Sequence, residues 1–321
     1  MAPLPAQSRS PTNPGSALPL DLLRCPSSGG PLEPADGTLS GPQGARYPVS
    51  DSGVPLFATG LISADAERQR AHYDAIAAAY EANLAYPHTR AYLAYLDEAL
   101  LTAIGERPLG TMAELCCGLG EAVKLFAGRY NRAVAVDISP AMLERAVREN
   151  GQASVTFLQG DATRLPLADE AFDTVVLLGG VHHVNDRAGL FAEVARILKP
   201  GGRCIFREPV SDFALWRWLR AVVYRLSPML DHATERPLLR GETEPPIKAA
   251  GLALEHWSTH GFLGFCLFMN SDVLIFNRLF RFIPGIAVVT RAAARLDAWT
   301  LRLPGLAGAG LQVVGIVRKP A

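Results

Sequence analysis

An α/β fold, with a parallel sheet and helices on both faces, is what this sequence predicts, and three observations predict it. Between residues 112 and 206, short apolar runs alternate with stretches of helical character. The first run leads straight into a turn carrying Gly118 and Gly120. Two later runs end in carboxylates, Asp137 and Asp161. Strand and helix in this alternation read as a right-handed parallel sheet.

Residues 112–116 have the apolar character of a buried strand, and residues 122–126 that of the following helix. The glycines between them let the chain turn tightly and bring backbone N–H groups close to a ligand, where a Cβ would collide. A second strand, 132–136, ends in Asp137, whose carboxylate at a strand tip can take both hydroxyls of a ribose. Ser139 and Pro140 then suit the cap and first turn of a helix. The third unit, 155–161, ends in Asp161, placed to meet the exocyclic amine of an adenine. Strand four, 172–178, runs into Gly179, Gly180, Val181, His182 and His183, and helix 187–198 precedes strand five at 203–206. A returning pair at 252–257 and 311–317 follows, with a helix around 292–301 and a turn at Pro304 and Gly305 between them. A dinucleotide site would need three glycines to hold a pyrophosphate; this turn has two, and Glu121 would oppose the phosphates.

These motifs resemble the class I S-adenosylmethionine-dependent methyltransferases, in particular the small-molecule branch that includes the quinone-biosynthesis C-methyltransferases. The likeness rests on residues 114–120, on Asp137 and Asp161, on Leu165-Pro166-Leu167 through Phe172-Asp173, and on residues 196–202, and it covers roughly residues 70–210. It implies a Rossmann-like seven-stranded methyltransferase sheet closed by an antiparallel pair. It also implies S-adenosylmethionine held by Glu114, Cys116, Gly118, Gly120, Asp137, Ile138, Met142, Asp161, Ala162 and Gly179. One position departs from the pattern: Cys116 stands where the first loop glycine is usual, which keeps open a cofactor-binding remnant without activity. Cys116 and Cys117 read as small buried thiols rather than nucleophiles.

Ahead of the sheet, residues 71–103 are dense in alanine and leucine and read as helix, with Tyr73 and Tyr80 seven residues apart on one face. In the family resembled, such a tyrosine-bearing segment folds over cofactor and substrate; core packing is the other reading. Residues 21–58 look like the zinc-ribbon module found ahead of some ribosomal RNA methyltransferases. Four ligands would be needed, yet Cys25 stands alone, Ser28 takes the second position, and residues 40–44 hold no cysteine. A metal-free β ribbon is expected there, after a disordered leader at 1–20. The methyltransferase domain is expected over 70–321, with 210–250 and 260–303 as substrate-lid insertions.

Four residues are candidates for the base in methyl transfer: His182 and His183 after strand four, and Glu208 and Asp212 after strand five. The two histidines also fit a structural role. Residues 213–226, 260–268 and 273–283 are rich in aromatic and aliphatic side chains, with Arg278 and Arg281 among them. They could line a greasy pocket, rest against a bilayer, or bury one face on the core. Thirty-one basic and thirty-one acidic residues cancel, which removes the usual electrostatic motive for gripping nucleic acid. The five scattered cysteines suit a reducing cytoplasm, within reach of the inner face of the membrane. The function expected is methyl transfer to oxygen or carbon of an apolar small molecule such as a quinone, isoprenoid, polyketide or lipid. An RNA methyltransferase and a non-catalytic cofactor-binding partner are the alternatives.

Overall fold

A computed structural model of the chain describes residues 18–58, 62–150, 154–218, 236–269 and 275–321. Its centre is a seven-stranded sheet of order β6-β5-β4-β7-β8-β10-β9. The strands are β4 (Gly110–Leu115), β5 (Tyr130–Asp137), β6 (Val155–Gln159), β7 (Phe172–Leu178), β8 (Leu198–Pro209), β9 (Ala253–His260) and β10 (Gln312–Arg318). The first five are parallel, and β10 runs antiparallel to both β8 and β9. Side chains of both faces are buried, Leu115 and Val134 in one core, Met112 and Ala133 in the other, as a sheet covered on two sides requires.

The position of β4 decides where a ligand can sit. From β4 the chain goes outward to β5 and β6, then returns to β7 on the opposite flank. Connections leaving β4 and β7 therefore diverge, and a crevice opens at their carboxyl ends. Helices α3 (Glu121–Leu125), α4 (Pro140–Glu149) and α5 (Arg187–Ile197) fill the crossovers. Ahead of the sheet, α1 (Ala64–Leu84) and α2 (Pro87–Ile104) form the helical stretch expected from alanine and leucine density.

The N-terminal segment is a small antiparallel sheet of β1 (Glu33–Ala35), β2 (Thr38–Ser40) and β3 (Arg46–Pro48). It is fastened along the exposed edge of β6. Gln159 N–H donates to Pro55 O at 2.9 Å, and Phe57 N–H donates back to Gln159 O at 3.2 Å. Leu22, Leu23, Leu39, Tyr47 and Phe57 join the main core, so the ribbon both pairs and covers an edge that would otherwise be open to other strands. Where a zinc knuckle would place its ligands, the Cys25 thiol meets the hydroxyls of Ser27 at 3.0 Å and Tyr47 at 3.2 Å. Among the described residues no group of three or more His, Cys, Asp or Glu side chains could hold a metal ion.

The two expected lid insertions take different places. Helix α6 (Arg240–Ala249) packs on α5, and Leu238 and Ile247 lie in the main core. Ala250 packs beside them against the same core. The helix expected at 213–226 lies mostly outside the described residues. Helices α7 (Leu263–Phe268) and α8 (Ile286–Thr300) make a separate helical layer, packing with α2 around Tyr92, Leu96 and Phe268.

Candidate active site

After β4 the backbone bends sharply, with φ of 52° at Cys116 and 50° at Gly118. This bend turns the Gly118 N–H onto Asp137 Oδ2 at 2.8 Å, while Ser139 N–H donates to Asp137 Oδ1 at 2.8 Å. The carboxylate is thus held in one plane at the tip of β5, and each oxygen keeps lone-pair capacity for a further donor. Burial pushes the Asp137 carboxyl above its usual range, against the pull of the backbone N–H groups of Ser139, Gly118 and Ile138. A Cβ at Gly118 would meet nothing within 4 Å, so the space beside it is open. At Gly120, one would lie 2.9 Å from Asn150 Nδ2 and 2.9 Å from Val123 Cγ2, so that glycine serves packing.

A cleft of about 1050 Å³, open mouth included, occupies the crevice. Of the expected residues it is lined by Tyr73, Tyr80, Cys116, Gly118, Asp137, Ile138, Met142, Asp161, Ala162, Gly179 and His183. Both tyrosines of α1 reach it. Asp161 is fixed by Thr163, whose N–H (2.8 Å) and hydroxyl (2.7 Å) meet Oδ1, and by Ser63, whose N–H and hydroxyl each lie 3.3 Å from Oδ2. Ser63, Gln69, Glu121 and Asn185 also line the cleft and were not anticipated. Ser63 left a signal: a serine ahead of Asp65 and Glu67 marks a helix start, and it does cap α1.

Five expected site residues stand elsewhere, each for a physical reason. Glu114 is buried beneath the loop, and its two carboxylate oxygens accept the N–H groups of Ala122 (2.8 Å) and Val123 (3.0 Å), fixing the first turn of α3. Burial pushes its carboxyl up to about 8. Gly120 packs, as noted. Glu208, wholly buried, accepts N–H groups from Gly180 (2.7 Å), Val181 (2.9 Å) and His182 (3.3 Å), and its Oε2 lies 2.8 Å from His182 Nδ1. Neither Glu208 nor His182 lines the cleft; together they shape the turn after β7. Asp212 accepts the Arg240 N–H at 2.8 Å, tying the end of β8 to α6.

His183 is the titratable nitrogen base in the cleft wall. Its Nε2 lies 2.7 Å from the Tyr73 hydroxyl, and the two rings meet edge to face. Tyr80 continues the aromatic row, with its hydroxyl 3.5 Å from Glu121 Oε1. The thiols of Cys116 and Cys117 are pushed up by burial and by neighbouring carboxylates, Asp137 foremost, which keeps them neutral. Among the described residues the lining carries five carboxyl side chains, Asp65, Glu121, Asp137, Asp161 and Asp186, and no lysine or arginine. Such a wall repels a pyrophosphate and suits a nucleoside bearing positive charge.

Fold and cleft define the class: the chain carries the class I S-adenosylmethionine-dependent methyltransferase fold. Residues 113–206 match the family described as Methyltransferase domain. The chain is 33% identical over 109 residues to a demethylmenaquinone methyltransferase of Renibacterium salmoninarum, covering 34% of this chain and 45% of that protein. It is 34% identical over 117 residues to the Thermobifida fusca protein of the same name, covering 36% and 50%. The matched stretch thus spans about half the length of these relatives. Among solved structures, a chain of the complex between the Haloferax volcanii Trm112 methyltransferase activator and a methyltransferase superposes with a TM-score of 0.53 at 18% identity, covering 78% of this chain and 98% of that one. A Thermotoga maritima S-adenosylmethionine-dependent methyltransferase gives a TM-score of 0.50 at 22% identity, covering 77% and 98%.

Proposed function

We propose that the protein transfers the methyl group of S-adenosylmethionine to a carbon or oxygen of an apolar, acidic small molecule of the phenol or enol kind, such as a quinol. The observation that carries this reading is the cleft itself: a carboxylate fixed by the glycine turn, an all-acidic charged lining, and one imidazole on the opposite wall. The residues fit the cofactor. Asp137 would take the ribose hydroxyls, Asp161 the adenine side, and Glu121 with the Tyr73 and Tyr80 rings the cationic methionine end. When bound, the cofactor supplies an electrophilic methyl on a sulfonium.

The chain's own part is positioning and proton removal. Ile138, Met142 and Leu178 add apolar surface to the cleft lining, against which the cofactor's nucleoside would pack. His183, whose Nε2 meets the Tyr73 hydroxyl at 2.7 Å, would take the acceptor's proton through that hydroxyl while the bond from methyl to sulfur breaks and its electron pair stays on sulfur. Likeness to demethylmenaquinone methyltransferases over the central stretch supports the quinol as acceptor class. The test is transfer of labelled methyl from S-adenosylmethionine to demethylmenaquinone, set beside phenolic polyketides, isoprenoids and transfer RNA. Label in the quinol or another apolar acceptor is expected. Failure of S-adenosylhomocysteine to bind in calorimetry overturns the reading, and label only in RNA replaces the acceptor.

A further inference from the structure

Helix α8 has two faces where one would suffice to pack it. Ile286, Thr290, Ala294 and Asp297 point inward and are buried. At about 100° per residue, Val288, Ala292, Leu296 and Trp299 fall together on the opposite side, and three of them are largely exposed: Val288 at 61%, Leu296 at 60% and Trp299 at 59%. Arg291 and Arg295, both exposed, form a row along one border of this apolar stripe. The preceding turn adds exposed Leu279 and Phe282, with the Arg281 guanidinium over the Tyr86 and Phe282 rings.

Charge here is one-sided although the whole chain is neutral. Residues 275–310 contain five arginines, no lysine and a single acid. That acid, Asp297, is buried and occupied by the N–H groups of Phe262, Gly264 and Phe265 and by the Tyr92 hydroxyl, so it neutralises nothing outside. No helix among the described residues is long and apolar enough to cross a membrane.

We propose that this face lies on a lipid bilayer bearing anionic headgroups. The apolar stripe would enter the acyl boundary, with Trp299 at headgroup depth and the arginines against the phosphates. A symmetric pairing of two copies through the same face would bring arginines against arginines with no free carboxylate within residues 275–310 to offset them, which disfavours a second copy as occupant. The inference stands on the outer surface of α8 and does not depend on the chemistry of the cleft.

Co-sedimentation of the full chain with vesicles of phosphatidylcholine alone, and of phosphatidylcholine with phosphatidylglycerol, tests it. Retention by the anionic vesicles is expected, weakening as salt rises. Leu296→Glu with Trp299→Glu should lower partition about tenfold or more, and Arg291→Gln with Arg295→Gln should lower it for the anionic vesicles without touching the melting temperature. No retention on either vesicle overturns the proposal, as does equal retention on both at every salt. A dimer in gel filtration that Leu296→Glu dissolves, without vesicle binding, assigns the face to a second copy instead.

Discussion

The glycine-loop half of the molecule and its helical half differ in how far buried carboxylates hold the main chain. Around β4, β5 and β8 the buried carboxylates of Glu114, Asp137, Asp161 and Glu208 all accept backbone N–H groups, so the main chain itself sets the shape of the cleft. In the layer of α2, α7 and α8 one buried carboxylate, Asp297, holds the backbone at the start of α7, and the rest of the order comes from side-chain packing. There His88 Nδ1 and Nε2, Thr89 Oγ1 and Asn277 Oδ1 are buried without a hydrogen-bond partner, and burial pushes the His88 imidazole down. A site shaped by many carboxylate-to-backbone hydrogen bonds is more firmly preorganised than one shaped mainly by side-chain packing.

The largest effect that could break this comparison lies on the wall between the halves. His183→Ala should lower kcat by about 10²–10⁴-fold while affinity for S-adenosylhomocysteine changes little; a near-normal rate removes the proposed base. On the backbone-built side, Asp137→Ala should weaken S-adenosylhomocysteine binding about a hundredfold in calorimetry, since two hydrogen bonds to a charged group go with it. Unchanged affinity would deny the carboxylate its role.

A smaller effect concerns pH. Burial raises Glu114 from its ordinary 4.5 to about 8, so the folded chain keeps a proton there that the unfolded chain has lost. That contribution to stability is complete below 4.5 and disappears as pH climbs through 8. Glu114→Gln should flatten the fall in melting temperature across this window, and an unaltered slope would contradict the assignment. The smallest is at Cys116, where a side chain sits in the left-handed region. Cys116→Gly relieves strain of roughly 1 kcal/mol, offset in part by glycine's greater chain entropy. The expected result is a melting temperature equal to or slightly above the parent's; a clear fall would show that the thiol's packing outweighs the strain.

Much of the sheet was legible because apolar runs, turns and strand-tip acids are local signals. Asp137, Asp161 and Gly118 followed from the same signals. Glu114 and Glu208 did not, since spacing places a carboxylate near a strand end without telling which N–H groups will turn toward it. The tie between Ser63 and Asp161 spans 98 positions of chain, beyond the reach of any periodicity. The packing of residues 236–250 on α5 was not legible, because a polar helix with a few apolar contacts looks the same from sequence whether it caps a pocket or backs a sheet.

That long-range tie bears on traffic. Helix α1 supplies Ala66, Gln69, Tyr73 and Tyr80 to one side of the cleft, and its first turn is clasped by the same carboxylate assigned to the adenine. Swinging α1 outward means letting go of Asp161, and a ligand that engages Asp161 competes with the clasp. One carboxylate thereby links the start of α1 to the lining of the cleft.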